Sequence, residues 1–133
     1  MRNKKILLSL VFILVSVMSV TAKSENNVYT EDKTNIVVTA QQPQFVLKLK
    51  SNPTTGYSWF LQDYDSNVIL PVKHVFQSPA KGMMGAGGFD IWTFKVKPAG
   101  FAVPQRAVIR MIYARAWEKN ESEKQVDFRV STQ

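Results

Sequence analysis

From Thr34 onward, apolar and polar residues alternate in one short segment after another. Ile36-Val37-Val38-Thr39 is β-branched. Phe45, Leu47 and Leu49 share one face of an extended chain, and Lys48 and Lys50 share the other. Tyr57, Trp59 and Leu61 alternate with Ser58, Phe60 and Gln62. Trp92, Phe94 and Val96 stand against Lys95 and Lys97. Val103 to Ala114 reads as one long strand, with Ile109, Met111 and Tyr113 opposed to Val108, Arg110 and Ile112. Val126 to Val130 alternates again. Val68 to Phe76 is apolar but carries Pro71, which predicts an edge strand or two short pieces because proline cannot donate to a ladder. No segment keeps a helical period over about ten residues. Roughly seven strands with turn residues between them predict an all-β sandwich, with a closed barrel as the second choice.

The start of the chain has a different pattern. Arg2, Lys4 and Lys5 precede an apolar run from Ile6 to Val20 that holds only Ser9, Ser16 and Ser19 as polar residues. Small side chains up to Ala22 follow. This is the layout of a secretory signal peptide over residues 1–22, cut after Ala22, and the run is short for a spanning helix, which needs about 20 apolar residues. The protein is therefore expected to be periplasmic or secreted, with no membrane contact after cleavage. Residues 23–33 are polar and aperiodic, which predicts a flexible lead-in to a single domain over 34–133.

Composition changes the picture in two ways. Beyond Ala22, 14 basic residues face 10 acidic ones, a net charge of +4. The basic residues are scattered and form no run, so no nucleic-acid partner is expected. There is no cysteine, so core packing must hold the fold without disulfides.

Three segments between predicted strands have the chemistry of contact loops. In Asn52-Pro53-Thr54-Thr55-Gly56-Tyr57, proline fixes its own φ and holds Asn52 extended, and Gly56 permits positive φ before the next strand. The result is a stiff, narrow, polar tip. In Gly82-Met83-Met84-Gly85-Ala86-Gly87-Gly88, four of the chain's six glycines surround two adaptable methionines. It lacks the lysine and following helix of a phosphate cradle. Arg115-Ala116-Trp117 joins the two residue types most enriched at binding hot spots. Each segment also has a plainer reading: an ordinary turn, a mobile linker, a tryptophan capping the core.

Candidate catalytic groups are few. His74 is the only histidine and reads as a strand residue between Lys73 and Val75. One histidine without cysteine cannot build a usual zinc site, and no nucleophile-elbow pattern is present. Asp63 and Asp65 read as a solvated turn. The sequence predicts a binding protein, not an enzyme, with no metal or other cofactor.

Together the three segments resemble the chagasin family of cysteine peptidase inhibitors. That family has an Asn-Pro-Thr-Thr-Gly-aromatic loop, a Gly-x-Gly-Gly loop and an Arg-Pro-Trp/Phe loop, in that order. Here they read Asn52 to Tyr57, Gly85-Ala86-Gly87-Gly88, and Arg115-Ala116-Trp117, with Ala116 where proline is usual. The resemblance implies an immunoglobulin-like antiparallel β-sandwich of seven to eight strands. It also implies a monomer that blocks papain-like cysteine peptidases reversibly with three loops at one end. Thr54 and Thr55 would lie over the enzyme's cysteine. Met83 and Met84 would contact the non-primed side, and Arg115 and Trp117 the primed side. Loss of proline at 116 implies a more flexible third loop. The competing expectation is an exported sandwich that keeps the scaffold as an adhesion or ligand-binding module without inhibiting anything.

Overall fold

The computed structural model describes residues 27–79, 87–118 and 122–133. Among the described residues, eight strands form two four-stranded sheets. The strands are β1 (Val28–Tyr29), β2 (Asn35–Val38), β3 (Gln44–Ser51), β4 (Tyr57–Tyr64), β5 (Ile69–Gln77), β6 (Gly88–Val96), β7 (Arg106–Arg115) and β8 (Ser122–Thr132). The first sheet has the order β1-β3-β6-β5 and the second β2-β8-β7-β4. Two short edge pairs, β1 with β3 and β2 with β8, are parallel, and the other pairs are antiparallel.

The alternation in the sequence becomes the two inner faces. Phe45, Leu47 and Leu49 of β3 and Ile109 and Met111 of β7 are fully buried, as are Trp59, Phe94, Phe128 and Val130. Phe45 and Phe94 stack at 5.7 Å. Trp59 also satisfies its ring N–H, which donates to the Lys50 carbonyl at 2.8 Å. Removing so large a buried side chain costs about 3–5 kcal/mol.

The strand interrupted by Pro71 is an edge strand, as its proline predicts. β5 borders the first sheet, and its pairing with β6 slips between Pro71 and Lys73. His74 is a strand residue there. Its ring stacks on Trp92 at 4.2 Å, and its Nε2 lies 2.7 Å from Oδ1 of Asp90. Asp90 is buried, and its Oδ2 accepts the Trp59 backbone N–H at 3.1 Å and the Ser58 hydroxyl at 3.4 Å. This carboxylate ties β6 of one sheet to β4 of the other.

One expectation is corrected. The lead-in expected to be flexible over 23–33 contains β1, whose Val28 and Tyr29 pair with Val46 and Leu47. Tyr29 is buried and meets Phe45 edge-on at 6.4 Å. A two-residue strand is too short to show a period, so only the tertiary packing of one aromatic ring reveals it. The proposed signal segment, residues 1–22, lies outside the described residues.

Candidate functional site

Strand register brings the strand ends that flank the three segments to one end of the sandwich. Ser51 at the end of β3 pairs with Gly88 at the start of β6, and Gln77 at the end of β5 pairs with Phe89. Tyr57 at the start of β4 pairs with Arg115 at the end of β7. The points where the chain leaves and re-enters the sheets at the β3–β4, β5–β6 and β7–β8 connections are therefore neighbours.

The first loop is built from its own hydrogen bonds. Pro53–Thr55 forms a single 3₁₀ turn, and Asn52 caps it. The Asn52 side-chain oxygen accepts the Thr54 backbone N–H at 3.3 Å and the Thr54 hydroxyl at 2.6 Å. The Thr55 hydroxyl donates to the Asn52 carbonyl at 2.7 Å. Gly56 then turns the chain with φ 79°, and its N–H closes onto the Pro53 carbonyl at 3.0 Å. An L side chain is strained at that φ, so glycine is required here. Thr54 and Thr55 are exposed at the tip.

The third loop braces the first. Arg115 Nε donates to the Thr55 carbonyl at 3.2 Å, and its guanidinium lies 4.5 Å above the Tyr57 ring. A Cβ added to Gly56 would sit 2.5 Å from Cη2 of Trp117, so the indole lies directly on that glycine. Trp117 is nevertheless 69% exposed. A large aromatic ring held on one face and open on the other is a ready contact surface. The turn closes without proline at 116. The Glu118 N–H donates to the Arg115 carbonyl at 3.1 Å, and the Glu118 carboxylate accepts from Arg115 Nη1 at 3.3 Å.

Of the second segment, Gly87 and Gly88 are described, and Met83, Met84, Gly85 and Ala86 lie outside the described residues. Gly88 is buried, and a side chain there would collide with the Gln77 carbonyl and the Phe76 ring. Its backbone thereby packs tightly against the neighbouring edge strand.

Tyr113, which alternation along β7 sets on one face with Ile109 and Met111, holds the arrangement from beneath. Its hydroxyl accepts the Asn52 N–H at 3.0 Å, and its ring stacks on Tyr57 at 5.3 Å and meets Trp59 at a tilt at 5.2 Å. The signal available was its place two residues before Arg115 on an inward-facing position, which carries no hint of the Asn52 contact across 61 residues.

These features define an immunoglobulin-like β-sandwich with a preorganised loop cluster at one end. The family model described as chagasin family peptidase inhibitor I42 matches residues 38–131, and the chain belongs to that family. Members of the family are peptidase inhibitors and not enzymes. Amoebiasin-1 of Entamoeba histolytica is 30% identical over 105 residues, covering 78% of this chain and 97% of that protein. Chagasin of Trypanosoma cruzi is 28% identical over 75 residues, covering 53% of this chain and 64% of that protein. Among solved structures, the cysteine protease inhibitor EhICP2 from Entamoeba histolytica has the same fold, with a TM-score of 0.64 at 19% identity. It is matched over 80% of this chain and 95% of its own. The solution structure of amebosin matches with a TM-score of 0.58 at 25% identity, over 80% of this chain and 96% of its own.

Proposed function

We propose that the protein is a reversible, non-covalent inhibitor of papain-like cysteine peptidases and that the loop cluster enters the active-site cleft. The observation that carries this reading is the mutual bracing of the first and third loops through Arg115, Tyr57, Gly56 and Trp117. Thr54 and Thr55 form the leading tip and cover the catalytic thiol. Their backbone is wound into a 3₁₀ turn and held by Asn52, so no peptide bond there lies extended across the thiol for attack. A peptidase cleaves an extended segment, and a closed turn resists that geometry.

Affinity comes from preorganisation. Loops already fixed by internal hydrogen bonds lose little entropy on binding. Trp117 supplies the aromatic anchor on one flank, with Arg115 beneath it. Met83, Met84 and the glycines from Gly85 to Gly88 supply the opposite flank. The inhibitor acts as a monomer and is exported, its first 22 residues removed, which puts it in the periplasm or outside the cell.

The test is a titration of papain or a cathepsin with the purified protein. Stoichiometric loss of activity, with full recovery of intact inhibitor after dissociation, is the expected result. Full activity at excess inhibitor overturns the reading and favours a non-inhibitory binding module. Slow cleavage between Asn52 and Tyr57 would remove the occlusion mechanism specifically.

A further inference from the structure

Four lysines scattered along the chain, Lys48, Lys50, Lys73 and Lys95, meet on the outer face of the first sheet. Lys48 pairs with Ile91, which pairs with Val75, so these three side chains lie in one row. Lys50 lies in the row on one side of it, opposite Phe89. Lys73 is in the row on the other side, opposite Thr93, and Lys95 lies one row further. With strands about 4.8 Å apart and same-face residues about 7 Å apart, four ammonium groups occupy roughly 10 by 20 Å. No outward position of β3, β6 or β5 in these rows is acidic. At the border of the sheet, the Glu31 carboxylate accepts the Lys50 backbone N–H at 3.0 Å. Asp90, the acidic residue of β6, is buried on the inner face.

The other sheet is built differently. Its outer face mixes signs, and Arg110 is paired with Asp127 at 3.0 Å. The one-signed face is thus a property of one sheet and not of the protein's composition.

The face is also apolar between its charges. Leu70 and Val75 are 45% and 41% exposed. Lys48 lays its stem along the sheet with Nζ 4.4 Å from the Phe89 ring centroid. Lysine over exposed aliphatic side chains suits a layer that is anionic at its surface and apolar just below. It suits nucleic acid poorly, because the face has no arginine fork and its one aromatic ring is covered by a lysine. We propose that this face docks on the surface of an anionic phospholipid bilayer. This departs from the expectation of no membrane contact after cleavage, which followed from the removal of a short apolar leader and took no account of which side chains share a sheet face. The strands then lie along the bilayer, and the loop cluster, at the strand ends, stays free. The inference does not rest on the inhibitory reading.

The experiment is vesicle co-sedimentation with the full chain and with the form beginning at Lys23, which keeps every residue of the described fold. Vesicles are pure phosphatidylcholine or phosphatidylcholine with about one third phosphatidylglycerol. Expected is at least about tenfold stronger binding to the anionic vesicles at low salt, lost at high salt. Lys48→Gln/Lys73→Gln/Lys95→Gln is expected to lower that binding about tenfold or more, with its circular dichroism and any peptidase titration unchanged. Arg106→Gln/Arg129→Gln, on the outer face of the second sheet, is expected to keep it. Equal binding to both vesicle types, an unaffected lysine variant, or an equal loss in the arginine variant overturns the proposal. Tighter binding to polyglutamate or duplex DNA than to the vesicles overturns the choice of lipid.

Discussion

The two ends of the sandwich solve opposite problems. At the loop end, side chains hold backbone that stays open to solvent. Asn52, Thr55, Arg115 and Tyr113 each bond a main-chain group, and Thr54, Thr55 and Trp117 remain exposed. At the far end, the chain is sealed. Gln105 Nε2 donates to the carbonyls of Ala99 and Gly100 at 3.1 Å each, and the Lys97 N–H reaches the Val68 carbonyl at 2.8 Å. Gly100 is buried so closely that a Cβ would lie 2.5 Å from Val96 Cγ1 and 3.0 Å from Val68 Cγ1. The difference teaches where each kind of substitution acts. Changes at the loop tip alter the surface presented to a partner, and changes at the far end alter folding stability.

The sharpest way to break this contrast is at the tip. Thr54→Glu/Thr55→Glu should weaken inhibition by at least about 4 kcal/mol, roughly a thousandfold, while thermal unfolding moves little. A large drop in Tm would show that the tip is structural. Next comes Trp117→Ala, expected to raise the inhibition constant by about 2 kcal/mol because the anchor and its cover over Gly56 are lost together. A barely changed constant would remove Trp117 from the contact surface. Gly100→Val reverses the pattern. It overpacks the far end and should cost about 1–3 kcal/mol of stability in denaturant unfolding, with the inhibition constant of the folded protein unchanged.

Gly56→Ala probes the point where the categories meet. Positive φ and the overlying indole should together cost about 1 kcal/mol or more in stability, and displacement of Trp117 should weaken inhibition as well. If only one quantity moves, the two loops are less coupled than their geometry implies.

The smallest effect is expected away from both ends. The Arg110 side chain, by its hydrogen bond first and its charge as well, holds the Asp127 carboxyl below its ordinary value of 3.8, and burial opposes this in part. A carboxyl with a lowered folded-state value stabilises above the unfolded-state value and loses that contribution as pH falls through the folded one. Asp127→Asn should therefore flatten the loss of stability below about pH 4 and leave inhibition untouched. Acid unfolding curves of the two proteins that superimpose would deny the pair any role.

Much of the fold could be read along the chain. Period-two alternation placed Phe45, Leu47, Leu49, Ile109 and Met111 inside, and Pro71 marked an edge. Those signals are local, since a strand's two faces follow from successive side chains pointing opposite ways. β1 escaped notice because two residues carry no period. The loop segments were visible as residue types, and Gly56 announced its positive φ. Their bracing was not visible, because the Asn52–Tyr113 and Thr55–Arg115 bonds join residues about sixty positions apart.

The sequence by itself determined an all-β chain, the inward side of most strands, the three loop chemistries and the family they resemble. Only the tertiary structure decided that Arg115 and Trp117 rest on the first loop, that Asp90 ties one sheet to the other, and that four dispersed lysines share one face. The reason is physical: alternation and turn preference are set by neighbours along the backbone, whereas register between strands sets which distant side chains stand side by side.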